Sequence, residues 1–315
     1  MSKTPAPRNR TLTIDDDEIA GLRAKLCFVP DGHQPPDLLN QIICGNAFYI
    51  LGAYSTPRFN LLFADPPYNL TKQFGTVKFR STSPDAYEEW LDSWLSLCVP
   101  LLKKTASIYI CGDWRSTSAI QRIGSKYFKL QNRITWEREK GRGAKRNWKN
   151  ASEDIWFFTM SDDFTFNLDG VKQRRRVIAP YRENGKPKDW KESEEGNFRD
   201  THPSNLWADI TVPFWSMPEN TDHPTQKPEK LLAKIILAST NPGDLILDPF
   251  AGSGTTAVVA KKLGRNFVAI EADENYCLLA AKRLEIADSD KSIQGFEDGV
   301  FWERNTKKFA SDKNE

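Results

Sequence analysis

Long apolar runs, closely spaced cysteines and a strong net charge are all missing from this 315-residue chain. With no run of about 20 apolar residues there is no candidate membrane-spanning helix, and no secretory leader pattern opens the sequence. The five cysteines, Cys27, Cys44, Cys98, Cys111 and Cys277, are odd in number and scattered. That excludes a disulfide framework and points to reduced thiols in a cytoplasmic protein. A formal net charge of +2 is too small to argue for a nucleic-acid partner, so the distribution of charge must carry that case. Internal repeats and a metal-binding cluster of carboxylates are also missing. At 39% hydrophobic and 11% aromatic residues, the chain can bury one large α/β core with a modest insertion.

Two short loops, each after a run that reads as a buried parallel strand, carry the chemistry. Asp248-Pro249-Phe250-Ala251-Gly252-Ser253-Gly254-Thr255 follows Asp244-Leu245-Ile246-Leu247, and Asp65-Pro66-Pro67-Tyr68 follows Phe59-Asn60-Leu61-Leu62-Phe63-Ala64. Both loops are expected at the carboxyl ends of strands, where open α/β sheets bind ligands. In the first, Gly252 and Gly254 lack the Cβ atoms that would keep a ligand off the backbone, and a helix begins at Thr255 with its N–H groups free. The next strand, Asn266-Phe267-Val268-Ala269-Ile270, ends on Glu271, about 20 residues past the loop, where a carboxylate holds a ribose diol. Strand, loop, helix, strand and terminal acid in register predict a nucleotide-cofactor site.

The second loop is more specific. Two consecutive prolines fix φ and remove two N–H donors, leaving a rigid turn that presents acceptors only. The Asp65 carboxylate and the Pro66 carbonyl are placed to grip an amino group from two sides, while the Tyr68 ring offers a flat face to a planar base.

With both loops in view, the chain resembles the S-adenosylmethionine-dependent DNA amino-methyltransferases over roughly residues 40 to 285. His223-Pro224-Thr225-Gln226-Lys227-Pro228, followed by the helical pattern Leu231-Leu232-Ile235-Ile236-Leu237, is similar to the family segment that leads into the cofactor strand. The resemblance implies that Thr225 and Lys227 face the methionine end of the cofactor, beside Asp248, Phe250, Gly252, Gly254, Thr255 and Glu271. The Asp-Pro-Pro-Tyr loop precedes the glycine loop, which is the block order of the permuted β group, with target recognition between the two. RNA and protein amino-methyltransferases usually run the other way. The family commonly has Gly-Asp where this chain has Gly45-Asn46. An amide also accepts from an adenine amino group, so Asn46 is either a cofactor contact or a turn residue after a short strand.

The implied fold is Rossmann-like: a mostly parallel seven-stranded sheet with helices on both faces and a small recognition insertion. For the two loops to meet, the Leu245–Asp248 and Leu61–Ala64 strands must be neighbours. The implied activity is methyl transfer from S-adenosylmethionine to the exocyclic nitrogen of a flipped-out base in double-stranded DNA. Asp in the leading position of the Pro-Pro-Tyr loop favours N6 of adenine in the family, with N4 of cytosine as the alternative. Asp65, Pro66, Pro67 and Tyr68 form the catalytic set. No cysteine follows a proline, as the nucleophile of the cytosine-C5 enzymes does. A non-catalytic DNA-binding protein on this scaffold is a more distant reading, opposed by two intact loops. A nuclease fused to the methyltransferase is opposed by the little length outside the core. A separate cognate restriction endonuclease is a possible partner, and the protein is expected to be a monomer or homodimer.

The organisation follows. Residues 1–40 read as a partly ordered arm and 41–136 as the catalytic half, with strands at Gln41–Cys44, Leu61–Ala64 and Ser107–Cys111 and a helix from about Pro84 to Leu101. In that helix Tyr87, Trp90, Leu91, Trp94, Leu95 and Cys98 recur at core-packing spacing. Residues 137–212 read as the DNA recognition insertion, 213–286 as the cofactor half and 287–315 as a charged, frayed tail. From Arg138 to Lys149 there are six basic residues against one acid, interleaved with glycine and tryptophan. Arg142, Lys145, Arg146 and Lys149, with Arg174, Arg175 and Arg176, are the predicted phosphate contacts.

Overall fold

The computed structural model describes residues 8–29, 39–74, 77–138, 146–177, 181–193 and 196–303. Seven principal strands form its central sheet: β1 (Gln41–Cys44), β2 (Phe59–Ala64), β3 (Leu102–Gly112), β4 (Lys129–Glu137), β5 (Ser152–Thr159), β6 (Leu245–Asp248) and β7 (Asn266–Glu271). Their order is β1-β7-β6-β2-β3-β5-β4, and the two-residue strands Cys27–Phe28 and Leu206–Trp207 extend the two edges. The sheet is parallel except at β5, which runs antiparallel to both β3 and β4. The predicted neighbours do pair: Ile246 lies opposite Leu61 and Leu247 opposite Leu62, in parallel register.

Both faces of the sheet are covered, which is why its strands read as near-continuous apolar runs. Leu62 and Ala64 of β2 face the layer of α1 (Ala47–Gly52), α2 (Pro84–Cys98) and α3 (Thr117–Tyr127). Leu61 and Phe63 face the opposite layer, α4 (Glu229–Ser239), α5 (Thr255–Lys262) and α6 (Glu274–Ser289). Helix α2 starts where expected because the Ser83 side chain accepts the Ala86 N–H and Pro84 takes the first turn. Tyr87, Leu91, Trp94, Leu95 and Cys98 are its buried stripe. Trp90, expected in that stripe, is only partly buried and reaches the cavity described below.

Two expectations about organisation need correction. Within the supposed insertion, Ser152–Thr159 is a central strand, because its run Ile155-Trp156-Phe157-Phe158 is buried on alternating faces between β3 and β4. The tail does not fray at Ala287: α6 continues to Ser289, and Val300–Trp302 then pairs in parallel with Gln173–Arg176. Burial of Phe301 holds it there. That strand joins Phe296–Glu297, Gly196–Thr201 and Lys191–Ser193 in a second, five-stranded sheet. At the other end, the described part of the arm is docked through burial of Leu22 and Leu26 and a bridge between Leu12 and Thr221. Residues 1–7 and 30–38 of the arm lie outside the described residues.

Candidate active site at the carboxyl edge of the sheet

The Asp65–Tyr68 loop leaves the end of β2 at the centre of the carboxyl edge. Its turn is fixed from below by Tyr87 of α2, whose hydroxyl donates to the Pro67 carbonyl at 3.0 Å. The Tyr68 hydroxyl lies 2.9 Å from Asp65 Oδ1 and 3.1 Å from Glu153 Oε2. Lys227 Nζ donates to Asp65 Oδ2 at 2.5 Å and stands 3.4 Å from Glu153 Oε2. Arg138 closes the far side through an ion pair between its Nη1 and Glu153 Oε1. Two carboxylates, a phenol and two cations thus share one largely buried wall.

Burial opposes the charge on Lys227, but Asp65 and Glu153 outweigh it and hold the ammonium above the ordinary lysine range. For Tyr68, burial and then the same two carboxylates keep the phenol protonated well above its usual range. Lys227 was expected at the methionine end of a cofactor. The segment before α4 reaches the base loop, where its amine ends on Asp65 at the wall of the shared cavity.

The glycine loop follows β6. Asp248 is buried and accepts the Phe250 N–H at 3.0 Å and the Thr256 hydroxyl at 2.5 Å, so it shapes the loop from inside. Burial, only partly offset by these two bonds, pushes its carboxyl up to about 7. Glu271, at the tip of β7, accepts the Gly252 N–H at 2.8 Å and the Asp273 N–H at 2.9 Å. Burial raises its carboxyl above the ordinary range, against the pull of those N–H groups.

The two glycines turn out to have different reasons. A Cβ on Gly252, at φ +53°, would stand 2.8 Å from the His223 ring, whereas a Cβ on Gly254, at φ +76°, would stand 2.5 Å from Ala280 Cβ. Gly252 therefore lets the His223 segment approach the loop, and Gly254 lets α5 and α6 pack. Burial, reinforced by Lys227, pushes His223 down to about 3, so its imidazole is neutral. The Thr225 N–H lies 3.4 Å from His223 Nδ1, and Thr225 lines the cavity. Thr255 is buried at the first turn of α5, where its hydroxyl accepts from Arg283 at 2.9 Å. Asn46 caps α1 by accepting the Phe48 N–H at 2.9 Å, which fits the turn-residue alternative, and it also faces the cavity.

Both loops open into one cavity of about 550 Å³. Asp65, Pro66, Pro67, Tyr68 and Lys227 line it together with Phe250, Gly252, Glu271 and Asn46. Phe250 is set edge-on to Trp94, with ring centroids 5.0 Å apart, so its position is fixed by the α2 core. A volume of this order, lined by aromatic and acidic side chains, fits a nucleoside-bearing cofactor beside a second planar group.

Among the described residues the predicted phosphate contacts fall on two different segments. Arg142 and Lys145 lie outside the described residues. Arg146 and Lys149 are exposed on either side of Trp148, whose exposure is 92%. Arg174, Arg175 and Arg176 sit on a strand of the second sheet. There the Arg174 fork is taken by Asp200 at 2.8 and 2.9 Å, and Arg175 stands 3.8 Å from Glu303. Arg176 is exposed. Among the described residues no helix is long and apolar enough to cross a membrane.

The residues that sequence reasoning missed are Glu153, Arg138 as a member of the site, Tyr87 and His223. Glu153 had one signal, its place in the acidic pair Glu153-Asp154 that opens an apolar run. It belongs to the site because β5 is antiparallel, so its first residues lie at the same edge as the carboxyl ends of β2 and β6.

Comparison with known proteins gives the family. Residues 59–282 match the DNA methylase family N6_N4_Mtase. The chain is 35% identical over 253 residues to the DNA adenine methyltransferase YhdJ of Escherichia coli K12, covering 78% of this chain and 83% of that protein. It is 34% identical over 262 residues to the type II methyltransferase M.HpaI of Haemophilus parainfluenzae, covering 82% and 76%. Among solved structures, the cytosine-N4-specific PvuII DNA methyltransferase superposes with a TM-score of 0.57 at 18% identity, over 77% of this chain and 85% of that one. The M1.HpyAVI–SAM complex superposes with a TM-score of 0.51 at 24% identity, over 78% and 98%. At these identities the superpositions speak to the shared fold.

Proposed function

Because this chain belongs to the N6/N4 DNA methylase family, we propose that it methylates N6 of adenine at a specific sequence in double-stranded DNA. The wider activity, DNA amino-methylation with S-adenosylmethionine as donor, is that of the family. The carrying observation is that Asp65, in the loop after β2, and Glu271, at the tip of β7 and 206 residues away in sequence, line one cavity. Adenine is supported by Asp in the leading position of the Pro-Pro-Tyr loop and by the relationship to an adenine methyltransferase.

The cavity fits the donor. Glu271 is the acceptor for a ribose diol, Phe250 offers an aromatic face to adenine, and Gly252 lines the same cavity. When bound, S-adenosylmethionine supplies an electrophilic methyl group on a sulfonium sulfur. The chain's own residues do the rest. An exocyclic amine is a poor nucleophile while its lone pair is delocalised into the ring. Acceptors on its two protons, the Asp65 carboxylate and the Pro66 carbonyl, favour a tetrahedral nitrogen and aim its lone pair at the methyl group. Flipping the base from the duplex costs a few kcal/mol, offset in part by stacking on Tyr68. Lys227 offsets the charge of the two carboxylates held at this wall. The reading implies a cytoplasmic protein whose partner is DNA, acting alone or beside a restriction endonuclease.

Single-molecule sequencing of DNA from cells expressing the chain tests this, since it reports base and sequence together. N6-methyladenine at one fixed sequence is expected. N4-methylcytosine would change the base and keep the mechanism, and unmodified DNA would contradict the proposal.

A further inference from the structure

Glu153 has no part in gripping the base, yet it is 3% exposed at the wall of the cavity and tied to Tyr68, Lys227 and Arg138. The Tyr68 hydroxyl stands between two carboxylate oxygens, Asp65 Oδ1 at 2.9 Å and Glu153 Oε2 at 3.1 Å. A phenol carries one proton, so it donates to one carboxylate at a time and turns its oxygen to the other. The second contact is satisfied when a proton lies on that side. The hydroxyl is thus within proton-transfer distance of both carboxylates.

Methyl transfer generates a proton. Forming the N–CH₃ bond and breaking the CH₃–S bond leaves positive charge on the exocyclic nitrogen, which must then lose one N–H proton. Resting on the DNA amino-methyltransferase assignment, we propose that Glu153 is the final acceptor of this proton, which reaches it from Asp65 through the Tyr68 hydroxyl. The N–H electron pair returns to nitrogen and the proton binds Asp65. Asp65 passes it to the Tyr68 oxygen as Tyr68 hands its own proton to Glu153. Tyr68 ends as it began, one proton has moved, and nothing is oxidised or reduced.

The surroundings suit a relay. Lys227 lies 3.3 Å from the Tyr68 oxygen and 3.4 Å from Glu153 Oε2, holding the chain of oxygens in line. Arg138 pairs with the other Glu153 oxygen, and its side chain is 27% exposed, which sets that end of the relay beside solvent. Glu153 itself is fixed by the sheet, opposite Trp136 in the β4–β5 register.

The test is single-turnover methyl transfer by the full chain to unmethylated genomic DNA, in H₂O and D₂O. Wild type, Glu153→Gln, Tyr68→Phe and the double variant are compared. Each single variant is expected to slow transfer by about 10- to 100-fold, with cofactor and DNA dissociation constants within about twofold of wild type. The solvent isotope effect should shrink in both, and the double variant should be no slower than the slower single one, because the two act in series. A Tyr68→Phe rate within about threefold of wild type, or an unchanged isotope effect with additive losses, would overturn the relay. If Glu153→Gln does not fold, the Tyr68→Phe rate and isotope effect decide alone. A wild-type protein that transfers no methyl group to DNA would remove the assignment and the relay with it. An active wild type with a normal Tyr68→Phe would remove only the relay.

Discussion

Lys227 Nζ lies 2.5 Å from Asp65 Oδ2 although 162 residues separate the two in sequence. The contact joins the segment that leads into the cofactor half to the loop that grips the base. Glu153 stands on the other side of the same ammonium at 3.4 Å, so Lys227 is the cation between a buried acid and a partly buried one. Removing it leaves both charges facing each other across a dry wall. Lys227→Met is expected to lower unfolding stability by about 3 kcal/mol and to abolish methyl transfer. Urea unfolding and a methyl-transfer assay check the two parts, and a fully stable, active variant would show that the pair is incidental.

The two loop glycines predict different phenotypes. Gly254→Ala drives a methyl group to 2.5 Å from Ala280 Cβ at a positive φ, so it should cost about 1–3 kcal/mol of stability by forcing α5 from α6. Gly252→Ala displaces the His223 ring, part of the cavity wall, and should weaken cofactor binding more than it lowers Tm. Calorimetric titration beside thermal unfolding separates them. Equal effects of both substitutions on cofactor affinity would contradict this division.

Asp248 makes stability pH-dependent. Its folded-state pKa, pushed up to about 7, lies above that of an unfolded aspartate, so the native state binds more protons than the unfolded state between about pH 4 and 7. Stability from this group is therefore fully present below about pH 4 and is lost as pH rises through 7. Asp248→Asn, which keeps an acceptor for the Phe250 N–H, should remove that slope. Urea midpoints of wild type and variant from pH 4 to 8 should converge at the acid end, with the variant the more stable at the other. Parallel curves would show that the carboxyl is already ionised in the fold.

Much of this site was legible because its parts are local. Asp65 to Tyr68 and Asp248 to Thr255 are contiguous, and the strands before them are short apolar runs with one reading. The neighbouring of β2 and β6 followed from the need to bring two ligand loops together. Glu153 was not legible, since its place depends on one antiparallel strand inside a stretch dominated by charge. Nor was the role of Gly254, because Ala280 is a partner only after α6 has packed. Lys227 was assigned to the cofactor by resemblance, and its further contact with Asp65 was not legible because it depends on the path of the chain before α4. The stretch from Ala287 to Glu303 was misread because Phe301 and Trp302 stand among charged residues and find their partner, Gln173–Arg176, more than a hundred residues away.

Arg146 and Lys149 remain the described candidates for phosphate contacts in the basic run. Neutralising either should weaken binding to all DNA sequences alike and reduce the slope of log affinity against log salt by about 0.9. Fluorescence titration across a salt series, on specific and unrelated duplexes, checks this. Identical slopes for wild type and variants would make the run a solvated surface.

The most direct test of the account is nucleoside analysis of DNA incubated with purified protein and methyl-labelled S-adenosylmethionine, for wild type and Asp65→Ala. Label in N6-methyladenine with wild type, and a loss of at least about 100-fold in Asp65→Ala at unchanged cofactor affinity, is the predicted result. Label at cytosine C5, no label at all, or an Asp65→Ala variant within about threefold of wild type would contradict it.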